Sequence, residues 1–373
     1  MRRVPTLRQA PLWLVTFVLF AMVGPALAQS ASKAPAEGGA IDWRKANDDV
    51  SQFKRGHADV LKWEIANDSM KNTVPVVVPD LWIKTPDAAV RHSWLARPEL
   101  SRSLSRLGYD NQERIATGRW LEVDPMARRT VDDFDTIMDV AADARKAWFT
   151  AVAANLGLKQ QRDMQEASAA AAELASRMAR VGNWSRMEQA QWQAKLVKMK
   201  FQTLKAEMEA KQSQTSLLKS VNLWGTASHV GLPDSWPDMP GEALAEANFQ
   251  NGLAAIRKAV PWLYEGRKVT ATAQLAFEIY NASYAAAQYA QEEVKLQQLI
   301  NDEVVLRYNG MLLSVWDLLA QTSEQLQANV TAINARRDLL IAETDLQLVL
   351  QGGSPNNFVS LGGAGGDGSA TAK

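Results

Sequence analysis

The chain of 373 residues contains no cysteine. This absence excludes disulfide bonds, thiolate metal sites and a cysteine nucleophile, because each of them needs a thiol. Histidine is also scarce. His57, His92 and His229 lie far apart and have none of the spacings typical of a metal site. We therefore expect no metal centre and no cofactor, and the sequence does not predict an enzyme.

An excess of charge is lacking as well. The chain has 41 basic and 41 acidic side chains, so its formal net charge is zero. Without a basic excess, the composition does not favour nucleic acid as a partner. The acidic run at 132–135 is either a cation site or the start of a helix. Because acidic side chains are stabilised by the helix dipole at that end, we favour the helix start.

Long apolar runs are missing after residue 28, where no stretch approaches the roughly 20 residues that a membrane-spanning helix needs. The N-terminus is different. Three arginines precede an apolar run from Leu12 to Val23, and Ala26-Leu27-Ala28 follows. This order is typical of a secretory signal peptide with a cleavage site made of small residues. The sequence therefore predicts export, with cleavage after Ala28.

Proline, glycine and hydrophobic periodicity divide the rest of the chain. Thr85 and Pro86 are the cap and first-turn residues of a predicted helix, and Pro98 restarts a second helix that continues to Gly118. The predicted segments are a flexible leader at 29–40, an N-terminal helical region at 41–129, a helical hairpin at 130–225, a proline-rich linker with a short helix at 226–265, a second hairpin at 266–352 and a disordered tail at 353–373.

Both hairpins carry apolar residues at coiled-coil spacing, so we expect these residues to form the seams between paired helices. In the first hairpin they are Met164, Ala167, Ala171, Leu174, Met178 and Val181, followed by Met187, Ala190, Ala194, Val197, Phe201, Leu204 and Met208. In the second they are Leu296, Leu299 and Leu306, followed by Leu319, Leu326, Ile333 and Leu340.

Each hairpin has a predicted turn at its tip. Gly182-Asn183 and Asn309-Gly310 are turn signals, because these residue types tolerate positive φ. After each turn come a serine, any residue, an apolar residue and an acid, at 185–188 and 314–317. Like tips favour an internal duplication, and the alternative is two unrelated hairpins. The predicted fold class is all-α, with two long antiparallel coiled-coil hairpins.

These stretches, in this order, resemble the TolC-type outer-membrane efflux protein family. The segment at 307–319, Arg-Tyr-Asn-Gly-Met-Leu-Leu-Ser-Val-Trp-Asp-Leu-Leu, is the closest match. The other matching stretches are 85–100, 182–188, Leu223-Trp224-Gly225 with the proline-rich 232–240, and 335–346. Together they span about 85–352. No single motif is specific, and the resemblance rests on their order.

The resemblance implies a fold, a location and partners. It implies a protomer of a TolC-like α-barrel, a homotrimer, and a place in the periplasm or at the periplasmic face of the outer membrane of a Gram-negative bacterium. The family's hairpin tips meet the periplasmic adaptor (membrane-fusion) protein of an inner-membrane pump. The partner-binding candidates at the tips are Gly182, Asn183, Trp184, Ser185, Asn309, Gly310, Ser314 and Trp316.

The chain departs from the family pattern at two places. The family carries two membrane β-strands between the incoming helix and the long hairpin of each repeat. Here the segments at 119–130 and 260–268 are too short for such a pair, so both strand pairs are expected to be missing. The leading hypothesis is a TolC-like component of an envelope efflux system. The alternative is a barrel-less periplasmic coiled-coil scaffold without a transport role.

The aromatic residues at the tips allow two interpretations. Trp184 and Trp316 are either exposed anchors for a partner or packed within the hairpin turns. Aromatic side chains carry much of the binding energy of interfaces, which favours the first interpretation, and their apolar area favours the second.

Overall fold

The computed structural model describes residues 81–124, 126–227, 229–236, 241–259, 263–355 and 357–359. All of them belong to one unit, residues 77–373. The predicted signal peptide and leader lie outside these ranges, as do residues 41–80 of the predicted N-terminal helical region and most of the predicted tail. The elements are β1 (Leu81–Trp82), α1 (Pro86–Leu95), α2 (Ser101–Leu107), α3 (Tyr109–Thr117), α4 (Ala127–Thr130), α5 (Phe134–Arg180), α6 (Arg186–Ser220), β2 (Val230–Gly231), α7 (Glu246–Ala259), α8 (Leu263–Asn309) and α9 (Val315–Leu350).

Two long helical hairpins make up most of this part of the chain, and the predicted fold class is confirmed. Helices α5 and α8 each have 47 residues, and their partners α6 and α9 have 35 and 36. The connections, 181–185 and 310–314, are equally long. The matching lengths agree with the predicted duplication. None of the helices in the described ranges has the length and the apolar character that crossing a membrane requires.

The four long helices pack in the order α6, α5, α9, α8. Helix α5 contacts both α6 and α9, and α9 also contacts α8, so that α6 and α8 lie at the two edges. Lys146 of α5 donates to the carboxylate of Asp345 on α9 at 2.9 Å. Burial raises the pKa of Asp345, and the nearby lysine opposes this shift. The ion pair joins the two hairpins through their central helices.

Each hairpin has its own hydrophobic core at the end away from its tip. In the first, α1 to α3 cover the beginning of α5, where Trp148 is fully buried and its indole N–H donates to the carbonyl of Ile83 at 2.9 Å. In the second, α7 covers α8 and α9, with Phe249 stacked on Phe277 at a centroid distance of 4.2 Å. Short helices therefore close the open end of both hairpins in the same way.

The N-terminal helices confirm most of the local predictions. The Thr85 side chain accepts a hydrogen bond from the Ala88 N–H, and Pro86 lies in the first turn of α1. The single helix predicted from Pro98 to Gly118 is wrong. A 3₁₀ turn begins at Pro98, and Gly108 at φ 78° separates α2 from α3, because a residue in this conformation cannot continue a right-handed helix.

In the segments at 119–130 and 260–268, the described residues are mostly helical. A 3₁₀ turn (Trp120–Glu122) and helix α4 occupy the first, and α8 begins at Leu263 in the second.

The acidic run before α5 is held by ordinary protein partners. Asp132 pairs with Arg106, and Asp135 lies 3.5 Å from Arg128. Asp133 accepts a hydrogen bond from a nearby serine hydroxyl at 3.0 Å. This agrees with the interpretation of the run as a helix start.

The predicted seam of the first hairpin is wrong for α6. The buried residues of this helix include Thr203, Ala210 and Leu217, seven residues apart. The large apolar residues that were expected in the seam are exposed instead. They are Met187, Val197, Phe201, Leu204 and Met208.

The same correction applies to α8, where Leu296, Leu299 and Leu306 are exposed. The α5 arm of the first seam is confirmed in part, because Met164 and Ala171 are buried but Val181 is exposed. On α9, the four apolar residues spaced by seven are all partly buried. Helix α6 packs on α5, and α8 packs on α9, each through a face other than its apolar stripe. The two stripes therefore remain exposed.

Candidate functional site: the hairpin tips

The first tip is a hydrogen-bonded turn that ends α5 and starts α6. After Arg180, the Asn183 N–H donates to the carbonyl of Met178 at 3.0 Å, and the Gly182 N–H donates to that of Ala179 at 3.1 Å. This pair of bonds is the Schellman motif, in which the residue after the helix cap adopts a left-handed backbone. Glycine is the usual residue there, and Gly182 has φ 80°.

The second tip repeats the motif with a different residue at the left-handed position. After Asn309, the Leu312 N–H donates to the carbonyl of Arg307 at 2.9 Å, and the Met311 N–H donates to that of Tyr308 at 2.9 Å. Met311 has φ 58°. A side chain in this conformation is strained, because Cβ comes too close to the backbone carbonyl.

The positive φ expected at Asn309-Gly310 is therefore wrong. Asn309 is the last residue of α8, and Gly310 lies one position before the left-handed residue. The two tips match when Gly182 is aligned with Met311, which makes Ser185 and Ser314 equivalent. In the sequence, Gly182 precedes Ser185 by three residues and Gly310 precedes Ser314 by four, so the tips look different in length when the glycines are aligned. In the structure the two turns are equally long.

Both tips begin their second helix with the same capping box. The Ser185 hydroxyl accepts from the Glu188 N–H at 3.2 Å, and the Glu188 carboxylate accepts from the Ser185 N–H at 2.8 Å. Ser314 and Asp317 make the same exchange at 3.3 and 2.9 Å. Each carboxylate also accepts from the serine hydroxyl, at 2.9 Å for Glu188 and 2.7 Å for Asp317. The bonds that Ser185 donates, its backbone N–H first, lower the pKa of Glu188. Those that Ser314 donates, its hydroxyl first, lower the pKa of Asp317.

A tryptophan cluster joins the two tips, and we call it the tip clasp. Trp316 of α9 lies between Trp184, with ring centroids 4.4 Å apart, and Trp192 of α6, at 4.7 Å. The ammonium group of Lys195 lies 3.9 Å from the centroid of the Trp192 ring. All three tryptophans are half-buried. The tip tryptophans therefore pack between the two hairpins rather than within a single turn, and part of each ring remains accessible.

The apolar surface of the tips comes from other residues. Met311 is 94% exposed and Leu312 is 76% exposed, and Val181 and Met187 are exposed beside the first turn. These four residues form what we call the tip surface. Of the predicted candidates, Gly182, Asn183, Ser185, Asn309, Gly310 and Ser314 are exposed, and Trp184 and Trp316 are half-buried in the clasp.

Two arginines near the tips are paired within their own helices. Arg177 lies 2.9 Å from Glu173, and Arg307 lies 2.8 Å from Glu303. The arginines at the C-terminal ends of α5 and α8 also suit the negative end of the helix dipole. The chemistry of the tip surface is therefore apolar contact and backbone hydrogen bonding.

Sequence reasoning missed two residues of α6 at the tip clasp and all four residues of the tip surface. Trp192 and Lys195 lie two turns into α6, and only the packing of α9 on the first hairpin brings them to the tip. Met311 lies within 307–319, but its left-handed backbone depends on where α8 ends. The one sign of this in the sequence was that the glycine-to-serine spacing differs between the two tips.

Comparisons with known proteins give distant structural likenesses. No family model matches the sequence, and no curated protein matches it either. Among solved structures, the chain is similar to the Campylobacter jejuni CmeC outer membrane channel, with 12% identity, a TM-score of 0.45, and coverage of 78% of this chain and 88% of that chain.

Two further likenesses are of the same kind. CusC, a protein that forms a transmembrane channel, shares 10% identity over 70% of this chain and 93% of its own, with a TM-score of 0.45. The outer membrane protein VceC from Vibrio cholerae shares 14% identity over 66% of this chain and 76% of its own, with a TM-score of 0.34. Identities and TM-scores this low do not establish a family.

Proposed function

We propose that this protein is an exported, TolC-like component of an envelope efflux system, which docks through its two hairpin tips with a periplasmic adaptor protein. The observation that carries the proposal is the construction of the tips. Two turns of equal length, each with a Schellman motif and a capping box, are held side by side by the tip clasp. A partner would meet one composite surface rather than two independent ends.

The tip surface has the properties of a docking site. Met311 and Leu312 are largely exposed, although burying apolar side chains is favourable. Met311 also keeps a strained backbone at this position. Strained backbone conformations cluster at functional sites, where the surrounding structure holds them in place. The sequence resemblance at 307–319 suggests that this partner is an adaptor of an inner-membrane pump.

The edges of the helical layer support an assembly of several copies. Apolar stripes are exposed on α6 at one edge and on α8 at the other. Two different edges that pair between copies form a head-to-tail interface, which closes into a ring when the rotation allows it. We propose that α6 of one copy packs on α8 of the next, and that the assembly is a homotrimer, as the sequence resemblance implies.

A coiled-coil scaffold without a transport role is the second candidate. Its support is the shortness of the segments at 119–130 and 260–268, where TolC-family proteins carry a pair of strands. A scaffold would use the same exposed stripes for association but would not need the tip surface. The two candidates therefore differ in what depends on the tips.

The test is binding of each purified periplasmic adaptor of the host to this protein and to its Leu312→Glu variant. We expect one adaptor to bind and the variant to weaken that binding at least about tenfold, because a charge would be buried in an apolar contact. The matched control is Leu95→Glu, since Leu95 is similarly exposed but lies on α1.

Two results would contradict the proposal. One is the absence of binding by any adaptor, and the other is equal binding by Leu312→Glu and the unchanged protein. Deletion of the gene separates the candidates further. Efflux predicts reduced tolerance of toxic compounds, restored by the unchanged protein and not by Leu312→Glu, whereas a scaffold predicts unchanged tolerance.

A further inference from the structure

The outer side of α6 is basic beside its apolar stripe. The exposed stripe residues in the middle of this helix are Val197, Phe201, Leu204 and Met208. Four exposed lysines lie three or four residues from members of the stripe, a spacing that makes side chains neighbours on a helix surface. They are Lys198, Lys200, Lys205 and Lys211.

The three acids of α6 leave this positive charge in place. Glu188 is held in its capping box, and Glu207 lies 3.0 Å from Arg162 of α5. Glu209 lines a hollow that α6 shares with α5 and α9, and Lys205 lies at the border between this hollow and the stripe. Within the described residues, none of the four lysines forms an ion pair.

The outer side of α8 carries the opposite sign. Its exposed apolar residues nearest the tip are Tyr289, Leu296, Leu299, Ile300 and Leu306. Four exposed acids lie three or four residues from members of this stripe, and they are Glu292, Glu293, Asp302 and Glu303. Between 289 and 306 the chain has one basic residue, Lys295. Of the four acids, only Glu303 forms an ion pair in the part of the chain that the structure describes, and its partner is Arg307 of the same helix.

The charges on the two helices lie at matching distances from the tips. Lys200 and Lys205 are the 15th and 20th residues of α6, which starts at the first tip. Glu293 and Glu292 are the 17th and 18th residues of α8, counted back from its end at the second tip. When the tips of two copies are level, each acid lies about 3–5 Å along the axis from the nearer lysine, at 1.5 Å per residue. The side chains of lysine and glutamate are long enough to span this offset.

The charges also lie on two sides of each stripe. Successive residues of a helix are rotated by about 100°. Lys200 and Lys205 therefore point to different sides of the α6 stripe, and Glu292 and Glu293 point to different sides of the α8 stripe. Charged pairs that border an apolar seam determine the choice and the orientation of partners in coiled coils.

Opposite charges distinguish between the ways in which two apolar edges can meet. Contact of α6 with α6 would oppose lysines, and contact of α8 with α8 would oppose acids, and like charges disfavour an interface. An anionic membrane surface would attract the lysines of α6 but would repel the acids of α8. Contact of α6 with α8 brings opposite charges together on both edges.

We propose that this charge pattern selects a second copy of the chain as the occupant of each edge and sets the register of the contact. Lys200 and Lys205 of one copy face Glu292 and Glu293 of the next, and the tips of all copies lie at the same end. Exposed ion pairs add little stability, so the apolar stripes hold the copies together and the charges provide the specificity. The inference rests on the packing of α6 on α8 in the proposed function, and it adds what determines the edge and the register.

Three charge-reversed variants of the mature protein test the proposal. The basic edge is reversed by Lys200→Glu with Lys205→Glu, the acidic edge by Glu292→Lys with Glu293→Lys, and both edges by all four changes together. Sedimentation velocity over a concentration series measures assembly at about 0.15 M salt, where the Debye length is about 8 Å. We expect each single-edge variant to need at least about tenfold more protein for half-assembly, because like charges then face each other. The four-change variant should recover the assembly of the unchanged protein.

Mixing of copies gives a readout that a loss of local structure would not explain. The chain has no cysteine, so donor and acceptor dyes can be attached at Leu95→Cys, an exposed position on α1. Labelled copies of the unchanged protein should exchange and show energy transfer. Unchanged protein mixed with the four-change variant should show little transfer, because every α6–α8 contact between them opposes like charges.

Lys159→Glu with Lys258→Glu is the matched control. These lysines are exposed, belong to α5 and α7, and have no ion pair in the described ranges. The control should assemble and exchange like the unchanged protein. Circular dichroism shows that each variant is folded.

The proposal is overturned if the single-edge variants assemble normally, if the four-change variant does not recover, or if it exchanges freely with the unchanged protein. It is also overturned, together with the packing on which it rests, if the unchanged protein is monomeric. In that case, weaker binding of Lys200→Glu with Lys205→Glu to phosphatidylglycerol vesicles would assign α6 to an anionic membrane surface instead. All of these variants leave the tips unchanged, so failure here is distinguishable from failure of adaptor docking.

Discussion

Met311 holds the left-handed position of the second tip, where the first tip has glycine. A side chain in this conformation costs roughly 1–2 kcal/mol, because Cβ crowds the following carbonyl. Glycine avoids the clash but loses more backbone entropy on folding, roughly 0.5–1 kcal/mol. The difference still favours glycine. The sequence therefore retains a residue that stabilises the tip less than glycine would.

Met311→Gly is expected to increase the free energy of unfolding by about 0.5–1 kcal/mol, the balance of strain relief and backbone entropy. The measurement is the midpoint and slope of urea unfolding. Leu312→Gly is the matched control, since Leu312 follows directly and has no positive φ, and it should lower stability. Equal effects of the two substitutions would show that the backbone at Met311 is not strained.

The capping serines should control the titration of the acids that they bind. Because the pKa of Glu188 and Asp317 is lowered in the folded protein, each cap stabilises its helix above the ordinary pKa and loses this effect as the pH falls through the folded pKa. Ser314→Ala removes the main cause of the shift at Asp317. Ser185→Ala removes only the second cause at Glu188, whose backbone bond remains.

We therefore expect Ser314→Ala to raise the pKa of Asp317 towards its ordinary value, and Ser185→Ala to raise that of Glu188 by less. Carboxyl resonances followed by NMR during a pH titration measure both. Thr85→Ala, which removes the cap of α1, is the control and should move neither pKa. A lack of change at Asp317 would contradict the capping box in solution.

At the scale of elements, the tip clasp connects helices that belong to different hairpins. Trp316 is the second residue of α9, Trp184 lies in the connection between α5 and α6, and Trp192 belongs to α6. Stacked aromatic pairs contribute about 0.5–1.5 kcal/mol each beyond their buried area. Trp316 takes part in both pairs, so it holds most of the contact between the tips.

Trp316→Ala should therefore release the two tips from each other. The chain has no cysteine, so spin labels can be attached at Val181→Cys and Leu312→Cys alone. Electron–electron double resonance should give a narrow distance distribution with the clasp and a broad one after Trp316→Ala. Trp224→Ala, an exposed tryptophan outside the clasp, should leave the distribution narrow. A narrow distribution in both variants would mean that other contacts fix the tips.

At the scale of the whole molecule, α6 and α8 each expose a stripe of large apolar side chains. They lie on the helices at the two edges of the layer, and each runs over several turns. Large exposed apolar surfaces commonly mark interaction sites. Their placement on two different helices suits pairing between copies rather than within one copy.

Phe201→Glu on α6 or Leu299→Glu on α8 should each shift the protein from a larger assembly towards the monomer. A buried charge without a partner strongly disfavours an apolar interface. Light scattering after size-exclusion chromatography measures the mass. Leu95→Glu is the control and should keep the assembly. If both stripe variants assemble normally, copies do not associate through α6 and α8.

The sequence predicted the hairpins and the Thr85 cap because these features depend on local chemistry. Seven-residue spacing predicts long paired helices. The same reasoning failed for the seam residues on α6 and α8. Periodicity identifies an apolar stripe such as the one containing Phe201, but it cannot tell whether the same hairpin, the other hairpin or another copy covers it.

The tertiary structure alone decided the features that depend on distant residues. It placed Trp192 beside Trp316, and it placed α6 and α8 at the two edges of the layer. It also showed that the end of α8, and not the position of Gly310, determines which residue takes the left-handed backbone. The sequence by itself determined the long helices and their pairing into hairpins, because helical periodicity depends on neighbouring residues. Packing decided which faces are buried, because burial depends on residues far apart in the chain.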